Sequence, residues 1–245
     1  FSLIKHSRTK FPSFVPNNMI YGPMQVVAGT IPDGYKWIAG LFGIKGSINN
    51  GMVLMNSVIN SNDAYAHLFY NEAVFYYCYV MFYIQNKPDE VFQLIKQKKL
   101  DLVNDHLLAY MAANLAINNK MNEYARSIIQ NRNNTSAYMQ TPIWNFELAY
   151  VQLRHLELTE ATKNFEYFLA HFKGNFYVKD ASEKLSWCYY LQGNKTAANS
   201  AKQMVLKRGN TDTDADKQAN KDAKSNKWPD IILLEARVLN DGGYN

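Results

Sequence analysis

Five histidines, two cysteines and several acidic clusters are the side chains here that could do chemistry, and their spacing decides whether they can. His6, His67, His106, His155 and His171 form no His-Glu-x-x-His motif, and no Cys-x-x-Cys pair exists, so the spacings that set metal ligands side by side are missing. His155 and His171 fall on the two arms of one hairpin but not at facing positions, because the chain turns near residue 158. Asp212, Asp214 and Asp216 alternate like the opening of a calcium loop, yet Lys217 stands where that loop needs Gly and Ala223 where it needs Glu. The same residues suit a helix start, with Thr213 as cap and Asp216 three positions later, acids near the positive end of the helix. Gly29 and Gly34 are spaced as in a phosphate loop, but Tyr35 and Lys36 follow where a Lys-Ser/Thr pair is required. Gly40, Gly43 and Gly46 read as close packing and a helix stop. No serine lies in a Gly-x-Ser-x-Gly turn, and Glu157 and Glu160 bracket a loop without an apolar pocket to raise a carboxyl pKa. Cys78 and Cys188 sit inside apolar runs and read as buried thiols. No residue set for catalysis, a metal or a cofactor emerges, and the chemistry that is left is recognition.

The elements that would position recognition residues are helices. Apolar residues make up 47% and charged residues 19% of the 245, the balance of an ordered chain with a sizeable core. With 12 Gly and 7 Pro there are too few turn formers for an all-β protein. Helices are expected at 17–28 (bent at Pro23), 32–43, 47–60, 64–84, 88–99, 103–117, 121–131, 144–156, 159–172, 177–191, 195–208, 213–225 and 230–240. Asp63 is placed to cap the helix after it, Pro32 and Pro229 to open theirs, and Gly43 to stop one. The run Ala73 to Ile84 is too short to span a membrane and reads as a helix buried on all sides. Net charge is +5 with the basic residues scattered, so a nucleic-acid face is not expected.

Small residues recur in pairs twelve apart: Ala113 and Ala125, Ala149 and Ala161, Ser186 and Ala198. The second members follow one another at 36 and 37 residues. A small residue on one helix facing a small residue on the next lets two backbones approach, and a period near 34 residues is that of tetratricopeptide-type hairpins. The expected fold is therefore all-α, a right-handed superhelix (an α–α solenoid) of antiparallel, TPR-like helix hairpins. Residues 1–63 read as an irregular helical segment at one end and 64–245 as the repeats, with 72–98 a degenerate copy whose twelve-spaced pair is Tyr79 and Val91. Ala236 and Gly243 sit seven apart, like Ser186 and Gly193, so the last repeat reads as incomplete, with an uncapped C-terminal end able to form a weak homo-oligomer.

Longer strings resemble a narrower family. Pro32 to Leu54 (PDGYKWIAGLFGIKGSINNGMVL), Phe172 to Asp180 (FKGNFYVKD), Lys184 to Tyr190 (KLSWCYY) and Leu233 to Tyr244 (LLEARVLNDGGY) resemble the inclusion-body-clearance tetratricopeptide proteins and similar bacterial envelope proteins. The resemblance covers about four fifths of the chain, in patches. It implies a helical repeat protein without catalysis; eukaryotic members are linked to protein quality control and lipid droplets, and bacterial ones to envelope or secreted scaffolds. The Asn-, Lys- and Tyr-rich composition fits a bacterial source. Residue 1 is Phe: removal of a signal peptide would place the chain in an envelope or periplasm, and otherwise in the cytoplasm.

In the repeat frame the first helix of each hairpin points Tyr110 and Asn114, Phe146 and Tyr150, and Glu183 and Trp187 into the concave groove. Rigid aromatics flanked by polar groups bury area at low entropic cost, so a peptide or protein partner is expected there. The competing reading packs the same aromatics against the N-terminal helices. Two further alternatives are an enzyme or ligand-binding protein with an unrecognised groove site, and membrane-surface association through Tyr35 to Ile44, a segment more simply read as core.

Overall fold

The computed structural model describes residues 1–41, 43–225 and 227–244, and among them the regular elements are all helical. In order they are α1 Ser2–Lys10, α2 Asn17–Gly29, α3 Asp33–Leu41, α4 Ile48–Ile59, α5 Ala64–His67, α6 Tyr70–Tyr79, a π-helical turn Val80–Ile84, α7 Pro88–Gln97, α8 His106–Asn118, α9 Asn122–Asn131, α10 Ile143–Arg154, α11 Leu158–His171, α12 Val178–Leu191, α13 Lys195–Lys207, α14 Asp214–Lys224 and α15 Ile231–Gly242. Caps fall where short polar side chains precede apolar periodicity. Asp63 accepts from the amides of Tyr65 and Ala66, Asn194 from Ala197, Thr213 from Asp216, and Asp230 from Ile232 and Leu233. Among the described residues, no helix is long and apolar enough to cross a membrane. The chain divides into two compact units, Phe1–Met111 and Ala112–Asn245, the boundary falling inside α8.

In the first unit α2 runs through Pro23 and packs along α4. Two glycines make the approach possible. A Cβ on Gly51 would lie 2.5 Å from Val26 Cγ2 and 2.6 Å from the Gly22 carbonyl, so nothing larger fits. Gly46 meets Ala28 in the same way, whereas a Cβ on Gly40 or on Gly43, which is left-handed at φ +69, would meet nothing within 4 Å.

Two expectations for this unit need correction. The helix expected over 64–84 is three pieces, and its apolar run is not buried on all sides: Tyr76, Tyr83 and Ile84 are exposed. Nor is Tyr35 to Ile44 a core segment, since Tyr35, Ile38 and Leu41 are exposed on α3; Phe42 and the side chain of Trp37 lie outside the described residues. An aromatic-rich composition makes such runs look like core, although folded surfaces carry much apolar area.

The second unit is regular. Each of α9 to α13 packs on its successor in the chain, and α10, α12 and α14 also stack in a row. The six small residues of the twelve-spaced pairs are all buried. The three hairpins share one turn. Connectors Asn119–Met121, His155–Glu157 and Gln192–Asn194 are each three residues long, and the middle residue is left-handed every time: Lys120 at φ 57, Leu156 at φ 59 and Gly193 at φ 77. In each, the third residue's amide bonds a carbonyl five positions back, at 2.9 Å. That closure stops one helix and turns the chain straight into the next.

The same turn occurs in the first unit at Asn86, φ 55, five residues before Val91, as Gly193 is five before Ala198. There the closing bond spans six residues, Lys87 N–H to Met81 C=O at 3.0 Å, because the π-helical turn holds one extra residue. Allowing for that residue, the small position is Cys78, fully buried, and not the partly exposed Tyr79 that twelve-residue spacing selects.

Candidate functional site

The site region lies in the second unit and begins with how α12 is started. Tyr177, the residue just before it, is left-handed at φ 60 and its side chain offers no cap. The cap comes from α14. The fully buried Asp216 carboxylate accepts from the amides of Tyr177 at 2.7 Å, Lys179 at 3.0 Å and Asp180 at 3.1 Å, and from the Thr213 hydroxyl at 2.7 Å. One acid therefore closes the start of α14 and the start of α12, anchoring the helix on which the candidate residues stand.

Along α12 the chain sets Asp180, Glu183, Lys184 and Trp187 on one side, the spacing of neighbours on a helix. Lys184 bridges Asp180 at 3.3 Å and Glu183 at 2.5 Å, and its Nζ lies 3.8 Å from the Trp187 ring centroid. Tyr150 of α10 donates its hydroxyl to Asp180. Burial, and then the Asp180 carboxylate, hold the Tyr150 phenol well above its ordinary pKa, so it stays a donor. Burial pulls Lys184 down, but its two carboxylates outweigh it and the net shift is upward.

α15 lies over this side of α10 and α12. Its Leu234 and Val238 are each 2% exposed and join the cluster of Phe146, Phe165, Leu185 and Trp187. Arg237 rests 5.1 Å from the Trp187 centroid. The far end is tied down as well. Lys120 donates to Asn240 at 3.2 Å, Asn122 donates to the Tyr244 hydroxyl at 3.0 Å, and that hydroxyl donates to Glu123. Gly243 is left-handed at φ +86 and a Cβ there would sit 2.2 Å from the Lys120 carbonyl. Ile232 and Leu233, at the helix start, remain exposed.

Of the six residues expected in the groove, Tyr110 belongs to the first unit and the other five to the second. Tyr150, Glu183 and Trp187 come together under α15, around the Lys184 bridge and Arg237. Phe146 is buried among rings, 4.9 Å from Phe168, 5.1 Å from Tyr150 and 5.5 Å from Tyr177 between centroids. Asn114 donates to the buried Glu147 at 3.0 Å. Asp180, Lys184 and Arg237 were not anticipated; the four-residue spacing of Asp180 and Lys184 beside a tryptophan was the available signal.

A cavity of ≈ 380 Å³ opens beside this cluster, between α12, α13, α14 and the start of α15. Glu183, Trp187 and Arg237 form one side, and Lys202, Asp222 and Trp228 another. Trp228 stacks on Tyr190 at 4.4 Å and donates to Asn199 at 3.0 Å. Lys202 reaches the Lys227 carbonyl at 2.7 Å, and burial holds its pKa below the usual lysine value.

Comparison with protein-family models, with curated proteins and with solved structures returned no match.

Proposed function

We propose that the chain is a non-catalytic protein-interaction scaffold, a right-handed α–α superhelix of antiparallel, TPR-like hairpins that binds a peptide or protein partner on its concave face. The repeated left-handed turns at Lys120, Leu156 and Gly193, the buried small-residue pairs and the stacked row of α10, α12 and α14 support the architecture. The observation that carries the binding reading is α15. It presents Leu234 and Val238, four residues apart, to the face formed by α10 and α12. A face that seals the apolar stripe of one amphipathic helix has the shape and chemistry to take another. Tyr150, Glu183 and Trp187 are the residues a partner would meet there once α15 yields.

Selection of displayed amphipathic peptides against the Leu234→Asp/Val238→Asp chain tests this. Both substitutions place a charge on the inward stripe of α15 and leave α10 and α12 intact. Recovered binders should repeat the four-residue apolar spacing and lose affinity when Tyr150 or Trp187 is replaced by alanine. Binders indifferent to both replacements, or none from a folded chain, would remove the groove from the account.

A further inference from the structure

The cavity beside α12 has features that a protein-binding face does not require. Glu183 is 6% exposed, and among the described residues no donor reaches its buried Oε1. A buried carboxylate oxygen without a hydrogen-bond donor forfeits its hydration uncompensated, so native structures keep few of them. Lys184 serves the other oxygen, Oε2.

The polar groups that line the cavity with Glu183 come in two signs. Asp222 adds a second carboxylate, with one oxygen taken by Gln218 at 2.8 Å. Lys202 has given one of its three hydrogens to the Lys227 carbonyl and lies 4.8 Å from the Trp228 centroid. Arg237 is only loosely held by Asp241, at 3.8 Å. A purely cationic ligand would meet Lys202 and Arg237, and a purely anionic one Glu183 and Asp222. A ligand with both poles matches the wall. Between the poles Val205, Leu234 and Trp187 supply an apolar surface. The volume is at the low end of the roughly 300–1,000 Å³ of small-molecule sites, the scale of one or two amino acids.

We propose that this cavity binds a zwitterionic ligand, a free α-amino acid or a short peptide, with its ammonium on Glu183 and its carboxylate on Lys202. The assignment goes beyond the scaffold reading and does not depend on it: Glu183 and Trp187 border both, but the cavity exists with α15 in place, whereas the partner binds once α15 yields.

Titration calorimetry on the full chain decides it. The probes are free leucine and phenylalanine, the dipeptide leucyl-leucine, and the one-pole analogues N-acetyl-leucine and leucinamide. An unblocked compound should bind with a Kd of about 1 mM or tighter, and loss of either pole should weaken it at least ~10-fold, close to 1.4 kcal/mol. Amino acids binding more tightly than the dipeptide would identify the free amino acid as the source, and the reverse a peptide. Glu183→Gln should weaken the best ligand at least ~10-fold. If that variant does not fold, the blocked analogues on the unaltered chain decide alone. No binding by any unblocked probe up to ~10 mM, or equal binding by blocked and unblocked forms, overturns the proposal.

Discussion

The turn after α12 and the connection after α14 start from similar helices and end differently. After α12 the chain turns in three residues, Gly193 takes the left-handed position, and α13 packs straight back. After α14 six residues intervene, Ser225 to Asp230, with Trp228 and Pro229 among them, and no positive φ is found among those described. The next helix, α15, then lies over α10 and α12. The spacing of helix starts is the same: α13 begins 17 residues after α12, and α15 begins 17 after α14. A two-helix period therefore does not by itself make a hairpin. The turn decides, because only the left-handed closure reverses the chain within three residues.

Replacing the parts that define each side of this contrast should produce effects of graded size. The largest is Asp216→Ala, which strips the shared cap from α12 and α14 and leaves three amides, two of them buried, without a carboxylate. A loss of about 3–4 kcal/mol is expected in urea unfolding. A loss under ~1 kcal/mol would mean that the row of stacked helices does not rely on this acid. Next is Gly243→Ala, where the new Cβ meets the Lys120 carbonyl at 2.2 Å and φ is +86. About 2 kcal/mol should be lost, read as faster amide exchange in α15 than in α12.

The hairpin turns themselves give smaller, opposite effects. Gly193→Ala should cost about 1 kcal/mol from backbone strain alone, since a Cβ there meets nothing within 4 Å. Lys120→Gly, at the same place in another hairpin, should gain about 0.5–1 kcal/mol by relieving φ 57. Equal signs for the two, in thermal unfolding, would break the claim that the turns are equivalent. The smallest structural effect belongs to the thiols. Burial pushes both Cys78 and Cys188 up to about 12. Folding thus favours the neutral thiol; that contribution is complete below the unfolded value near ~8.5 and is lost as pH rises toward the folded one. Neither cysteine should react with a thiol reagent at pH 8 until the chain unfolds, and rapid labelling of the native chain would contradict their burial.

Helix positions were legible because apolar periodicity, caps and turn residues agree along 88–242; nearly every expected segment there lies within a few residues of a helix. Two features escaped for definite reasons. The π-helical turn at Val80–Ile84 adds a residue that no periodicity reports, and it moved the small position from Tyr79 to Cys78. The placement of α15 depends on a turn that is absent, which leaves no motif to find. At the candidate site, Tyr150, Glu183 and Trp187 were visible through the repeat frame. Lys202, Asp222 and Trp228 were not, because they lie on α13, α14 and the connection after it, outside the first helices of the hairpins that the repeat frame points inward.

The groove is tested most directly by returning α15 to it as a separate molecule. A synthetic peptide of residues 229–244, fluorescently labelled, is titrated with the unaltered chain and with the Leu234→Asp/Val238→Asp chain. Anisotropy should rise with a micromolar midpoint for the double variant, stay flat for the unaltered chain, and stay flat again when Trp187→Ala is added. A folded double variant that leaves the peptide free would contradict the claim that this face holds helices.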